Sequence, residues 1–337
     1  MKTGVLLIQL GTPTAPKPGA IRRYLRQFLG DWRVISMPAP LRLALLYGVI
    51  LPFRPGRVAH AYQQIWTDRG SPLMFHTQDL ATKLAAEMGE DYRVTYAMRY
   101  GEPSISRAVR SFRAQNIRRL VVVPLYPHDA SSTTGSSIEA LYKALGSSWH
   151  APALTVVPAF FDQPGYLESV AKVARGTLTQ PFDHYLFSYH GLPENHLSRE
   201  QPYCFSHSDC CARMVQENAF CYRAQCFATT QSIAQRLDLA RDRVTVAFQS
   251  RVGRGKWIQP YTDVVIEQLA EKGVKKLAVF CLSFTADCLE TLEEIGIRGR
   301  DSFLAAGGED LRLVPALNAT DVWVRSLGDF VRSYGPK

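Results

Sequence analysis

Unbroken or alternating apolar runs of strand length recur along the chain, separated by longer stretches whose apolar residues return every three to four positions. The first kind reads as strands and the second as helices. The pattern predicts eight strands, over residues 3–10, 92–100, 118–126, 151–160, 184–190, 243–250, 275–283 and 311–317. Runs such as GVLLIQL and LVVVPL are apolar on both faces, the condition of a parallel sheet with helices on each side, so the expected class is α/β. Eight strands exceed the needs of one small sheet. The segments RRLVVVPLYP (118–127) and KKLAVFCLSF (275–284) each follow a helix and open on paired bases, as equivalent strands of two related halves would. The expected division is 1–150, 151–320 with a cysteine-rich segment at 204–226, and a last helix over 321–337 that packs back on the first half, with the joint at GSSWHAP.

In open parallel sheets, function gathers beyond the carboxyl ends of the strands. The chemically informative residues fall there: Gln9–Pro13, Arg99 and Tyr100, Tyr126–Ser137, Ser188–Pro193, Gln249–Gly253 and Ser283–Glu290. In SYHGLP (188–193), His190 closes a strand before a Gly/Pro turn, where a neutral imidazole can accept a proton or ligate a metal; by position alone a hydrogen-bonded structural histidine is an equal alternative. In SFTADCLETLEEIGIRGRD, Asp287, Glu290 and Glu294 are spaced to share one helix face. A solvated acidic face at a helix N-terminus is the common meaning of that spacing. A line of carboxylates that passes protons or divalent metal ions is the other. SSTTGSS (131–137) leads into a helix and could hold an anionic group, but lacks the lysine of a phosphate-binding loop; GRGKW (253–257) does not fit the dinucleotide fingerprint.

Composition narrows the classes. A hydrophobic fraction of 46% speaks for globular domains. The net charge of +9 comes from 39 scattered basic residues without a long run, so no nucleic-acid partner is expected. MKTGVLLIQL is too short and wrongly flanked for a secretory signal and reads as a first strand of a cytoplasmic protein. LRLALLYGVILPF (41–53) carries Arg42 and is too short for a bilayer span, which leaves a buried or interfacial helix. CFSHSDCCARMVQENAFCYRAQC (204–226) holds five of the seven cysteines, a density that asks for a metal in a reducing compartment. The run has no Cys-x2-Cys knuckle and no ferredoxin spacing, so iron–sulfur and zinc both stay open, beside the bland alternative of unligated thiols; His207 reads as a solvated loop residue.

Seven segments in order, GVLLIQLGTP (4–13), IWTDRGSPL (65–73), MRYGEPSI (98–105), LYPHDASSTTGSS (125–137), SYHGLP (188–193), FQSRVGRGKWIQPYTD (248–263) and FTADCLETLEEI (284–295), resemble the ferrochelatase family. These enzymes are lyases that insert ferrous iron into a porphyrin to make haem. The resemblance covers nearly the whole chain and implies two Rossmann-like domains, each a parallel sheet flanked by helices, with a porphyrin cleft between them. It implies His190 and Glu290 as catalytic residues and contacts of the substrate iron, with Asp287 and Glu294 along a proton or metal path. Leu10, Pro13, Arg99, Tyr100, Ser132, Thr134, Ser250, Val252 and Trp257 become porphyrin or cleft contacts, and Ser71 a further wall residue. On this reading His190 accepts the pyrrole protons while Glu290 and its neighbours guide iron or export protons. The substrate is expected to be protoporphyrin IX, the enzyme a monomer, and the 41–53 window a cleft lip in peripheral contact with the inner face of the membrane. A porphyrin or iron carrier, or an iron–sulfur sensor, on the same fold is the alternative.

The family comparison also places an insertion at about Cys204–Cys221, which implies an internal 2Fe-2S cluster in preference to zinc, held by four of Cys204, Cys210, Cys211, Cys221 and Cys226. Cys226 is the weakest ligand candidate, and the neighbours Cys210 and Cys211 are not expected to serve one site equally well. Stability or sensing is its expected role, since insertion changes no oxidation state. Two departures touch the cleft: His128 and Asp129 stand where many relatives have glutamine and an aromatic residue, which would alter metal access, and Cys288 replaces the histidine of animal enzymes. Cys281 and Cys288 otherwise read as buried thiols.

Overall fold

All eight expected strands form, and they make two separate four-stranded parallel sheets. A computed structural model describes residues 2–146, 149–199, 203–253 and 255–335. Parts of the expected joint GSSWHAP (147 and 148), of GRGKW (254) and of the terminal segment (336 and 337) lie outside the described residues. Two compact units result: one takes the chain up to Tyr126, Ala130–Pro158 and the chain from Asn318, and the other takes Pro127–Asp129 and Ala159–Leu317.

The first unit contains β1 (Thr3–Gly11), β2 (Tyr92–Tyr100), β3 (Arg119–Pro124) and β4 (Ala153–Val156), in the order β2-β1-β3-β4. Its helices are α1 (Pro18–Gly30), α2 (Ala39–Leu45), α3 (Leu51–Ile65), α4 (Pro72–Met88), α5 (Ile105–Ala114) and α6 (Ser136–Gly146). Leu6 and Ile8 face a core built with Ile105, Val109 and Phe112 of α5 and Leu141 and Leu145 of α6. Val5 and Leu7, pointing the other way, are also fully buried, so the sheet is covered on both faces. Each such side chain stabilises the fold by about 1.5–3 kcal/mol. β4 is shorter than the expected 151–160, because Pro152 and Pro158 bracket it and cannot donate to a ladder. Gly11 ends β1 at φ +113°, where a Cβ would lie 1.9 Å from the Tyr100 carbonyl oxygen. Only glycine lets β1 pass Tyr100 at this register.

The second unit repeats the plan, with β5 (His184–His190), β6 (Val244–Gln249), β7 (Lys276–Phe280) and β8 (Asp310–Val314) in the order β6-β5-β7-β8. β3 and β7, the two segments with paired bases, hold the same third place. The flanking helices are α7 (Pro164–Thr177), α8 (Glu194–Ser198), α9 (Tyr222–Arg236), α10 (Thr262–Glu271), α11 (Leu289–Leu292) and α12 (Arg300–Ala305). The last helix, α13 (Asp321–Ser333), belongs to the first unit, where it packs on α4; Lys83 Nζ lies 2.7 Å from Asp321 and Arg332 donates to the Glu87 carbonyl.

The 41–53 window folds as α2, a π-helical turn over Leu46–Ile50, and the start of α3. Leu46, Ile50 and Leu51 turn inward, while Leu41, Leu43, Tyr47, Val49 and Phe53 are exposed, Phe53 by 78%. Among the described residues no helix is long and apolar enough to cross a membrane.

Candidate active site

His190 is the last residue of β5, opposite Gln249 at the end of β6. The Gly191 N–H donates to the Gln249 carbonyl at 2.8 Å, and a Cβ on Gly191 would come within 2.8 Å of that oxygen and 3.3 Å of the Trp257 ring. Glycine therefore allows the turn after His190 to close against both. The Nδ1 atom of His190 is 2.7 Å from the Gly191 carbonyl oxygen. A carbonyl can only accept, so Nδ1 carries the proton and the neutral ring keeps its lone pair on Nε2. The backbone is held as firmly: His190 N donates to Ser283 Oγ at 3.0 Å, and the Tyr222 hydroxyl donates to the His190 carbonyl at 2.8 Å.

Carboxylates gather beside this ring. Ser250 adopts a left-handed backbone, φ +67°, which aims both its N–H and its hydroxyl at the Glu294 carboxylate. Gln249 joins the strand end to the same group: it accepts from the Ser188 hydroxyl and donates to the Glu290 carbonyl and to Glu294. Burial raises the Glu294 pKa, against the pull of the Ser250 hydroxyl and of His190 when that ring is protonated, and the neighbouring Glu290 charge raises it further. Glu294 thus sits within electrostatic reach of both His190 and Glu290, a group disposed to take up a proton.

The expected single acidic helix face is corrected. Glu290 lies in α11, Glu294 opens a π-helical turn over Glu294–Gly299, and Asp287 precedes both. Asp287 is buried, accepting from the Thr291 hydroxyl and the Ala316 N–H, so it ties down the start of α11. Cys288 lies against Glu290, and burial first, then that carboxylate, pushes its thiol pKa up. Trp257 is fixed by its indole N–H on the Val252 carbonyl, and Val252 itself is exposed.

The remaining expected contacts are in the first unit. Arg99, at the end of β2, donates to Asp31 at 2.6 Å and to Ser136; the Tyr100 hydroxyl and Ser136 hydroxyl donate to the same Asp31 oxygen. Burial alone would raise the Asp31 pKa, but the Ser136 hydroxyl, the Arg33 N–H, the Tyr100 hydroxyl and the Arg99 charge together hold it down. Tyr100 is only 1% exposed, so it orients Arg99 and Asp31 and offers no open surface. Ser71 is likewise buried, hydrogen-bonded to Thr12, and is a structural residue. Pro13 is buried, Leu10 and Ser132 half-buried, and Thr134 buried with no hydrogen-bond partner for its hydroxyl among the described residues. Arg33 reaches over the SSTTGSS turn to Ser131 and pairs with Glu139 at 2.8 Å.

Asp31 is the residue that sequence reasoning missed; it lies 68 positions from Arg99, and nothing local marks it. Replacing Asp31 by Ala strands Arg99, Tyr100 and Ser136 together, at an expected cost of about 1.5–3 kcal/mol, the range for hydrogen bonds to a charged group. Urea unfolding of D31A and wild type at pH 7 checks this, and coincident midpoints would refute it.

The cysteine run forms a loop ahead of α9. Cys204 and Cys221 sulfurs are 3.2 Å apart, and Cys210 and Cys211 sulfurs 3.6 Å, so the neighbours do approach one another. Cys211 also lies against Cys221, which first, followed by burial, raises its pKa; burial raises those of Cys204 and Cys210. Cys226 is fully buried on α9 near Tyr166, Tyr189 and Tyr222, within electrostatic reach of Cys211 but in neither of these close sulfur contacts. No group of three or more histidine, cysteine or acidic side chains is arranged around one metal ion among the described residues. The thiols instead stand in two adjoining pairs. His207 is solvated, with its ring on Ser206 and Tyr203. His128 is 2% exposed and bonded to Thr229, which corrects its placement on a metal-access wall.

Known proteins share both the sequence and the fold. The ferrochelatase family profile matches residues 2–334. A ferrochelatase of Coxiella burnetii (strain Dugway 5J108-111) is 45% identical over 335 residues, covering 98% of this chain and 93% of its own length. A ferrochelatase of Legionella pneumophila (strain Paris) is 41% identical over 333 residues, 98% of this chain and 99% of its own. Among solved structures, SirB from Bacillus subtilis with Fe3+ has a TM-score of 0.53 at 11% identity, covering 99% of this chain and 95% of that one. CbiX, the terminal enzyme of sirohaem biosynthesis in denitrifying bacteria, has a TM-score of 0.50 at 12% identity over the full length of both chains. Those two likenesses speak for the fold, and the profile and the two close relatives for the family. Agreement from the first strand to the last helix, together with the strand-end histidine and its carboxylates, makes the chain a member of the ferrochelatase family.

Proposed function

We propose that this enzyme inserts ferrous iron into protoporphyrin IX with His190 as the acceptor of the pyrrole protons. The observation that carries the reading is the Nδ1 contact with the Gly191 carbonyl, which leaves Nε2 as the basic nitrogen at a rigid strand end. The free-base ring must lose two N–H protons as iron enters. His190 takes a proton at Nε2; Glu294, raised by burial and electrostatically coupled to His190, receives protons from it, and Glu290 meets the incoming iron. Arg99, held by Asp31, and Trp257, held by Val252, contribute to ring binding. The exposed apolar side chains of 41–53 suit a ring with two propionates and two vinyls better than one with four propionates. Anaerobic incubation with ferrous iron and either porphyrin, followed through the Soret and visible bands, tests this. Faster conversion of protoporphyrin is expected; faster conversion of coproporphyrin overturns the substrate, and no conversion by folded protein that binds the ring would restore the carrier alternative.

A 2Fe-2S cluster on Cys204, Cys210, Cys211 and Cys221 is the second part of the proposal. The two thiol pairs suit a pair of irons that each take two thiolates, whereas zinc needs four around one centre. Such a cluster, when bound, supplies a cross-link within the loop. Replacing Cys204 or Cys221 by Ser is expected to bleach visible absorbance and lower solubility, since ligand loss is folding energy lost. Full colour in either variant would exclude that cysteine.

Peripheral membrane contact through α2 and the start of α3 is supported by Leu41, Leu43, Tyr47, Val49 and Phe53, beside a pocket lined by Arg22, Arg23 and Arg26. A Leu41→Glu/Phe53→Glu variant should sediment less with anionic vesicles than wild type. Equal sedimentation would remove the proposal.

A further inference from the structure

Tyr222 is the first residue of α9 and follows directly on Cys221. Its hydroxyl donates to the His190 carbonyl at 2.8 Å and lies 2.7 Å from Ser283 Oγ, which in turn accepts from His190 N at 3.0 Å. Both backbone polar groups of His190 are therefore held by one tyrosine–serine couple, and the tyrosine is one peptide away from a thiol of the cysteine loop. The loop is internally stiff: buried Asn218 donates to the Cys210 and Arg213 carbonyls and accepts from Val215 N, and Cys221 N donates to the Asn218 carbonyl. Its far side is fastened through Gln225, which bonds Ala219 and the Asp129 N–H. A change that separates Cys221 from Cys204 has little slack to absorb it before Tyr222.

We propose that Tyr222 is a positioning residue for His190 and transmits the state of the Cys204–Cys221 pair to it. The inference rests on His190 being the proton acceptor. Removing the hydroxyl loosens the strand end that keeps Nδ1 on the Gly191 carbonyl, so the step after porphyrin binding slows while binding itself does not.

The test uses the full-length protein purified without oxygen, with kcat and porphyrin KM, porphyrin affinity by fluorescence quenching, visible absorbance and thermal melting as readouts. Tyr222→Phe is expected to lower kcat about tenfold, the equivalent of one hydrogen bond, with porphyrin KM and affinity unchanged. Ser283→Ala moves kcat the same way and carries the test alone if Tyr222→Phe does not fold. Tyr166→Phe, which deletes a hydroxyl bonded to the Leu282 carbonyl, keeps wild-type kcat. Cys221→Ser lowers kcat in the wild-type background and adds little in the Tyr222→Phe background. A Tyr222→Phe kcat within twofold of wild type overturns the positioning role, and multiplicative effects of the two substitutions overturn transmission. His190→Ala separates the two readings: if it turns over normally, the proton-acceptor role has failed, and if it is inactive while Tyr222→Phe is normal, only the positioning role has.

Discussion

His190→Ala is expected to lose iron insertion, with kcat down at least about a hundredfold, the usual lower bound for a general base, while the protein still binds porphyrin. The size follows from the lack of a substitute. The Gly191 carbonyl fixes one tautomer, and the strand end fixes the ring, so the lone pair on Nε2 is pre-positioned and alanine leaves no basic nitrogen in its place. Glu294 does not replace it, because its carboxylate is tied to the Ser250 N–H and hydroxyl after β6 and is placed to receive protons from His190, not to supply a lone pair at the end of β5. Ring binding should persist, since alanine removes only the imidazole and leaves the proposed ring contacts as they were. Stopped-flow mixing of variant, ferrous iron and porphyrin, with a parallel fluorescence titration, separates binding from insertion. Turnover near the wild-type rate would refute the assignment.

The second large effect is on stability in acid. His128 sits among Tyr189, Tyr222 and Phe161, and Thr229 already donates its hydroxyl to the Phe161 carbonyl. Thr229 Oγ1 must then accept from His128 Nε2, which leaves Nδ1 as a buried lone pair without a partner among the described residues. Burial makes a charge there unwelcome and lowers the pKa from 6.5 to about 3. The unfolded chain binds this proton below pH 6.5 and the folded chain does not until about pH 3, so the unfolded state holds more protons in between. Stability is full above 6.5 and falls as the pH drops toward 3, by up to about 1.4 kcal/mol per pH unit. Between pH 7.5 and 5.5, wild type should lose about 1.4 kcal/mol more than His128→Gln, measured by urea unfolding. Parallel curves for the two proteins would show that His128 does not drive acid unfolding.

The strands were legible because an apolar run buried on both faces has few other meanings, and β2 and β5 keep the boundaries read from the pattern. The strand-end rule singled out His190, Arg99 and the Gln249–Gly253 turn, since chain direction alone puts these residues at the carboxyl edge. Contacts distant in sequence were not legible. Asp31 under Arg99, Ser283 and Tyr222 behind His190, and Thr12 on Ser71 each depend on the tertiary fold. The acidic segment misled for a local reason. Gly296 and Gly299 weaken regular helix, and the turn opens to π geometry, so a spacing that would align three carboxylates aligns at most two.

α13 gives the chain an unusual order of completion. Trp323, Val324, Leu327 and Val331 of that helix are buried in the unit whose first strand is Thr3–Gly11, although the whole sheet of the other unit lies between them in sequence. On the ribosome, domains ordinarily fold as they emerge, the earliest first. Here the earliest one waits for a helix made after the whole of the other unit, so a nascent chain stalled before Asp321 carries an exposed flank on α4 while β5 to β8 are already complete, and that flank is where a chaperone would find it.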